Sequence, residues 1–364
     1  MFMGTPVYCC AGQLLSSFVV RFGPDLKHRE PAPFALALAG ASYRCDGAYW
    51  PVQPGGERRT TAPFLARAHT CATVNPCRRS QMTAPREGLS ETRGSALNES
   101  LIEFLEHNVL VLDGAMGTQI QSSGFRDEDF GGPEFRMLSD LLCFSRPEEI
   151  EQIHLAYYRA GAHAVETNTF GASPFRLLEY NFSGLNTAGF DPIPHNIDPH
   201  TLGYDHFAYY LSRVGGEIAC RAREQYAADP GYDGRPLYVL GAMGPSNRVV
   251  SSTQANLKTA TFDEIADNFY HQVLGLQDGG VDALLYETQQ DILELKAAVF
   301  GGHMAMAERG RRVPIITQVT VDQHARMQIF NTDIQAAVVT MQGVGIDAFG
   351  INCSIGPDPC SRPS

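Results

Sequence analysis

The sequence has no apolar run that approaches the roughly 18–20 residues needed for a membrane-spanning helix. It also has no long run of lysine and arginine, and its formal net charge is −12 over 364 residues. A chain with that charge is a poor partner for nucleic acid and for anionic membrane surfaces. We therefore expect a protein that binds neither a nucleic acid nor a membrane.

The nine cysteines lack the regular spacing of a disulfide framework or a zinc finger. The first twenty residues lack the positively charged start of a signal peptide. Together these absences predict a protein of the reducing cytoplasm. Neither a Gly-x-Gly-x-x-Gly after the first strand nor a Gly-x-x-x-x-Gly-Lys occurs, so nucleotide-binding functions lose support.

Residues 1–97 show no sustained helical or strand period, and proline, glycine, arginine, serine and threonine are scattered through residues 31–93. We interpret residues 1–97 as an extension that is disordered or that results from a start codon upstream of the true one. Met82 is then a plausible native start, which mass spectrometry of the natural N-terminus would test. Residues 98–364 are predicted to form a single domain.

Six apolar segments alternate with helical patterns from residue 98 onward. The predicted strands are Val109–Asp113, Ala162–Thr167, Leu237–Leu240, Val281–Glu287, Val313–Val321 and Asp347–Asn352. Strict alternation of strand and helix predicts a parallel sheet with right-handed crossovers. Polar residues at the ends of several strands favour a barrel over a doubly wound sheet.

Capping signals predict where the helices begin. Asn98 is expected to cap a short first helix, and the capping boxes Ser145–Glu148 and Thr261–Glu264 are expected to open two longer ones. Gly161 and Gly279 end these two longer helices. The remaining predicted helices are Asp205–Ala228, Asp291–Glu308 and Asp333–Gln342.

The side chains that could act in catalysis or in binding lie at the ends of the predicted strands. Asp113 and Glu287 would face one pocket as an acid/base pair, as ligands of a hard cation, or as a grip on a substrate ammonium, and spacing alone does not separate these roles. The backbone amides of Gly114 and Ala115 would suit a carboxylate. Cys353 would serve as a nucleophile or a metal ligand, or as a small buried hydrophobe.

Five motifs occur in a fixed order along the chain: Val-Leu-Asp113-Gly-Ala-Met-Gly-Thr, Ala-Gly161-Ala-His-Ala-Val-Glu166-Thr-Asn-Thr-Phe-Gly, Gly241-Ala-Met-Gly-Pro-Ser-Asn-Arg248, Leu-Tyr-Glu287-Thr and Gly350-Ile-Asn-Cys353-Ser-Ile-Gly-Pro. Together they resemble the homocysteine S-methyltransferase family over about Leu101–Asp358. Within that family the likeness is greatest to the N-terminal homocysteine-binding domain of its cobalamin-dependent, methionine-synthase-type members.

The resemblance implies an α/β fold, a (β/α)₈ TIM-type barrel that is incomplete here with about six βα units. Asp113 and Glu287 would hold the amino group of homocysteine, and the amides of Gly114 and Ala115 its carboxylate. Cys353 would be the first of three cysteine ligands of a zinc ion that ionises the homocysteine sulfur. The thiolate would then accept a methyl group to give methionine. Further substrate-binding residues would be Glu166, Asn168 and Asn352.

The chain departs from the family pattern because it has no Gly-Gly-Cys-Cys-Gly motif, which carries the other two zinc ligands. We therefore expect a domain truncated after its sixth strand, with the first and sixth strands as unpaired edges, and a poorly soluble or inactive polypeptide. Cobalamin and methyltetrahydrofolate would act only through modules absent here, with methylcobalamin as the methyl donor in a full-length parent.

Three alternatives remain open at this point. The methyl donor could instead be betaine or S-methylmethionine. The chain could be a non-catalytic, truncated gene product that at most binds a partner. It could also be an unrelated barrel enzyme that uses Asp113 and Glu287 as acid and base, with Cys353 in a structural role.

Overall fold

A computed structural model of the protein describes residues 100–190, 193–252 and 257–353. It also gives the backbone of four short strands nearer the N-terminus: β1 (Tyr8–Cys9), β2 (Ser17–Arg21), β3 (Ala37–Leu38) and β4 (Ala41–Ser42). The prediction that residues 1–97 form a separate extension falls almost wholly outside the described residues and stays a prediction.

Six parallel strands form the centre of the domain, as the alternating pattern predicts. They are β5 (Val111–Leu112), β6 (Ala164–Glu166), β7 (Tyr238–Met243), β8 (Ala283–Gln289), β9 (Ile315–Val319) and β10 (Ala348–Asn352). They pair in chain order, each parallel to the next. The incomplete barrel with six βα units is confirmed.

The first helix precedes β5, and the other helices follow the strands and pack around the sheet. In chain order, these helices are α1 (Leu101–His107), α2 (Met116–Ser122), α3 (Leu142–Ser145), α4 (Pro147–Ala160), α5 (Pro174–Leu177), α6 (Tyr204–Ala227), α7 (Phe262–Asp278), α8 (Ile292–Arg309) and α9 (Ile334–Gly343). Within the described ranges, no helix is both long and apolar enough to cross a membrane.

The two edges of the six-strand sheet are paired in the structure. β1 runs parallel to β5, and β2 runs antiparallel to β10 along its whole length, with Asn352 opposite Ser17. The expectation that the first and sixth strands are bare edges is therefore wrong. No strands were expected in residues 1–97, because their sequence shows no regular alternation of apolar and polar residues.

Two of the three predicted caps are wrong. Ser100, not Asn98, caps α1 and forms a capping box with Glu103. Ser145 does not cap α4, because it is buried and its hydroxyl donates to the carbonyl of Asp129 at 2.5 Å. Thr261 caps α7 through a complete capping box, as the sequence predicts.

The side chains inside the curled sheet form a core of their own. Its strand members alternate with residues that face the helices, and it comprises Leu110, Leu112, Ala164, Tyr238, Leu240, Ala283, Leu285, Ile316 and Ala348. Leu101, Phe104 and Leu105 of α1 join this core. The amino-terminal end of the barrel is thus filled with apolar side chains, which leaves the carboxyl-terminal end for polar ones.

Candidate functional site

Asp113 follows β5, a strand of only two residues, and is buried. Its N–H donates to the carbonyl of Ala164 at 2.9 Å, which extends the pairing of β5 with β6 by one residue. Its Oδ2 accepts the N–H of Glu166 at 2.9 Å, whereas its Oδ1 has no hydrogen-bond partner among the described residues. One carboxylate oxygen therefore fixes the side chain, and the other remains available to a ligand.

Glu287 and Asn352 meet across the ends of β8 and β10. The Asn352 amide donates to Glu287 Oε2 at 3.3 Å and to Thr288 Oγ1 at 2.9 Å, and its Oδ1 accepts the N–H of Thr288 at 2.9 Å. Thr288 adopts a φ of 59°, a conformation that costs a β-branched residue about 1–3 kcal/mol. Asn352 thus holds a strained turn and orients the Glu287 carboxylate.

The two carboxylates hold raised pKa values. Burial raises the pKa of Asp113 well above its usual range, and the nearby charge of Glu287 raises it further. Burial also raises the pKa of Glu287 to about 7, despite a hydrogen bond from Thr288 that acts in the opposite direction. A cation placed between the two groups would lower both pKa values, so the pair is suited to bind one.

Cys353 directly follows Asn352 at the rim of this group, with an exposed side chain and a φ of 62°. Gly114 is half-buried and Ala115 is exposed, immediately before α2. The structure therefore brings the ends of β5, β8 and β10 to one end of the barrel, as the sequence predicts. The roles assigned to Cys353, Gly114 and Ala115 stay predictions.

The two remaining sequence-predicted residues lie on β6 and just after it. Glu166 is half-buried on the same face as Ala164, which places it inside the barrel beside Asp113. Asn168 is buried, and its amide donates to the carbonyl of Ser139 at 2.9 Å. None of its hydrogen bonds within the described ranges reaches Asp113, Glu287 or Asn352. The substrate-binding role of Asn168 stays a prediction.

The residues that the structure describes do not fit a closed zinc site. They include no group of three histidine, cysteine or acidic side chains that could hold a metal ion. Cys143 is buried and donates to the carbonyl of Asn168, and Cys220 contacts the carbonyls of Gly279 and Gly280. This leaves Cys353 as the one exposed cysteine of the described chain, and a single thiolate does not form a stable zinc centre.

Two buried carboxylates at the start of α8 hold the loop that follows β7. Glu294 Oε1 accepts the N–H and the hydroxyl of Ser246, at 2.8 and 2.6 Å. Asp291 Oδ2 accepts the N–H groups of Val250 and Ser251, at 2.8 and 2.9 Å. The loop with the Gly-Pro-Ser-Asn motif is thereby fixed to the helix that follows Glu287.

The clamp on this loop predicts a pH-dependent stability. Burial raises the pKa of Glu294 to about 7, so the folded protein holds its proton more tightly than the unfolded chain does. This contribution is complete below pH 4.5 and is lost as the pH rises through 7. Between pH 5 and pH 8 the wild-type protein should lose this contribution, whereas a Glu294→Gln variant has none to lose. In urea unfolding, the free energy of unfolding of the variant should therefore rise by about 3 kcal/mol relative to that of wild type over this pH range.

Glu149→Gln is the matched control, because Glu149 is an exposed glutamate at the same third position of helix α4. A stability difference between wild type and Glu294→Gln that stays constant from pH 5 to pH 8 would show that Glu294 is ionised throughout.

Sequence reasoning missed Thr288, and it read Asp291 only as the start of a helix. A positive φ at threonine leaves no mark in the sequence, so Thr288 could not have been found. The pair Asp291 and Glu294 did carry a signal, since Asp291 caps α8 and Glu294 lies in its first turn, shortly after the predicted strand that ends in Glu287. That signal is also typical of ordinary helix capping.

Comparison with known proteins agrees with the motifs. The homocysteine S-methyltransferase family matches residues 110–362. The methionine synthase of Mycobacterium tuberculosis strain H37Rv is 36% identical over 281 residues, and that of Mycobacterium leprae is 35% identical over 262. These alignments include 77% and 72% of this chain but only 20% and 19% of the relatives. The chain thus spans about a fifth of the length of these relatives.

Solved structures of the homocysteine methyltransferase MmuM from Escherichia coli are also similar. The apo form is 21% identical with a TM-score of 0.43, over 69% of this chain and 73% of that one. The oxidized form is 19% identical with a TM-score of 0.46, over 72% and 97%. Likenesses at these scores add nothing to the fold described above. The family match alone covers well over half of the chain and excludes an unrelated barrel enzyme: the chain belongs to the homocysteine S-methyltransferase family.

Proposed function

We propose that this chain is the homocysteine-binding part of a methyltransferase of the methionine synthase type. The observation that carries the proposal is the pair Asp113 and Glu287, two carboxylates with raised pKa values at the polar end of the barrel. A homocysteine ammonium between them would replace a costly like-charge contact by two attractive ones. Its carboxylate would lie against the backbone amides of Gly114 and Ala115.

The proposal gives Cys353 the role of one thiolate ligand of a zinc ion. When bound, the zinc would hold the homocysteine sulfur as a thiolate at neutral pH. Because the described residues supply no second and third ligand, the proposal for this chain is limited to substrate binding. The methyl donor would be methylcobalamin in a longer parent protein, with methyltetrahydrofolate as the source of its methyl group. Betaine and S-methylmethionine remain the alternative donors.

Calorimetric titration of the 364-residue chain with L-homocysteine under reducing conditions tests the proposal. We expect a dissociation constant between about 10 µM and 1 mM, the range in which enzymes bind small substrates. L-homoserine, which replaces the thiol by a hydroxyl, should bind comparably to the zinc-free chain, because the proposed contacts are to the amino and carboxyl groups. Absence of binding at millimolar homocysteine by a folded chain would refute the proposal.

A further inference from the structure

Gln318 is a fully buried glutamine and the fourth of the five residues of β9. Neither its Oε1 nor its Nε2 has a hydrogen-bond partner among the described residues. A buried amide left without partners costs free energy, so such groups in folded proteins are usually bonded to protein, water or ligand. The position of Gln318 in the barrel therefore shows whether a ligand could supply the missing partner.

The strand places Gln318 inside the barrel. Side chains alternate along β9, and Ile316 belongs to the interior core whereas Ile315 and Val319 pack toward the helices. Gln318 lies two residues beyond Ile316, toward the carboxyl-terminal end. It is thus on the inner face, between the apolar core and the polar residues at the carboxyl-terminal end of the barrel.

Its neighbours on both sides belong to the candidate site. The pairing of β8 with β9 shifts between Tyr286 and Gln289, so Glu287 and Thr288 together lie opposite Gln318. Such a bulge re-aims the side chains that it carries. On the other side, Gln318 pairs with Gly350, which has no side chain and lies two residues before Asn352. Gln318 therefore lies between Glu287 on β8 and the last residues of β10.

We propose that Gln318 Oε1 accepts a hydrogen bond from the ammonium group of the amino-acid substrate. An ammonium has three N–H donors, and the Asp113 and Glu287 carboxylates account for two of them. A third acceptor is needed in a pocket where buried polar groups must be paired. Gln318 is the one buried side-chain amide of the described chain in which neither the oxygen nor the nitrogen has a partner, and it lies opposite Glu287 in the pairing of β8 with β9. This inference rests on the proposed function, because it names a further residue of the same site.

The test compares Gln318→Leu with the wild-type chain against two ligands, L-homocysteine and 4-sulfanylbutanoate, which lacks the amino group. We expect Gln318→Leu to bind homocysteine about 10- to 30-fold more weakly, the effect of a hydrogen bond to a charged group. Binding of 4-sulfanylbutanoate should change less than twofold. Thr317→Val is the matched control, since Thr317 is equally buried on the helix-facing side of β9 and should leave both affinities unchanged.

The thermal unfolding of the ligand-free proteins provides a second readout. Gln318→Leu should unfold at the same temperature as wild type or higher, because it removes an unpartnered amide. Equal losses for both ligands, an unchanged affinity for homocysteine, or a lowered unfolding temperature would each overturn the inference and leave the proposed function intact. If wild type bound no homocysteine, the proposed function would fail, and this inference with it.

Discussion

Replacing Asp113 by asparagine is expected to weaken homocysteine binding by about 100-fold without unfolding the protein. The carboxylate would be one of two that face the substrate ammonium, and loss of one charge from a buried, hydrogen-bonded pair costs about 2–5 kcal/mol. The asparagine oxygen can still accept the N–H of Glu166, so the hydrogen bond that fixes the side chain is preserved.

Stability and binding should separate in this variant. Burial raises the pKa of Asp113, which means that an ionised Asp113 is costly in the ligand-free protein. Asp113→Asn should therefore resist urea at pH 8 at least as well as wild type does. Calorimetry with homocysteine measures the loss of affinity, and Asp205→Asn, at an exposed position in the first turn of α6, controls for the chemical change. Binding within threefold of wild type would show that Asp113 does not touch the ammonium.

The strands were predictable because of where they lie. Each parallel strand is covered on both faces, so it appears in the sequence as a short continuous apolar run. The six predicted strands overlap β5 to β10, and Asp113, Glu287 and Asn352 follow from their ends. Parallel strands bring their carboxyl ends to one end of the barrel whatever their side chains do, which is why the convergence of these three residues could be predicted.

The errors arose where distant contacts compete with local signals. Ser145 has the local sequence of a capping residue, but its hydroxyl donates a hydrogen bond to the carbonyl of Asp129, sixteen residues earlier in the chain. Asn168 lies two residues beyond Glu166, the last residue of β6, yet its amide donates to the carbonyl of Ser139. Local sequence does not specify these partners.

Gln318 is a different case, because the sequence itself marks it as unusual although it was not among the predicted site residues. A glutamine in the run Ile-Ile-Thr-Gln-Val interrupts a strand that is otherwise made of apolar and β-branched residues. An amide in a strand with both faces covered has to be explained by a partner or by a ligand. The structure shows which face it takes, and only then does its relation to Glu287 become visible.

Gly301→Ala should be the most destabilising single substitution among those considered. α7 and α8 cross so closely that a Cβ built on Gly301 would lie 2.0 Å from the carbonyl oxygen of Ala266 and 2.8 Å from its carbonyl carbon. Backbone atoms cannot rotate away as a flexible side chain would, so the two helices must separate. Overpacking of a core typically costs 1–3 kcal/mol, and a rigid backbone contact places this variant at about 3 kcal/mol or more.

Urea unfolding measures this cost, and Gly343→Ala provides the control. Gly343 ends α9 with no atom within 4 Å of its added Cβ, so alanine should be neutral there or add about 0.5–1 kcal/mol of stability. Separation of α8 from α7 would also displace Asp291 and Glu294, which begin α8 and hold the loop after β7. Homocysteine binding by the folded fraction should therefore fall too. If the free energy of unfolding of Gly301→Ala lay within 1 kcal/mol of the wild-type value, the two helices would not cross at this distance.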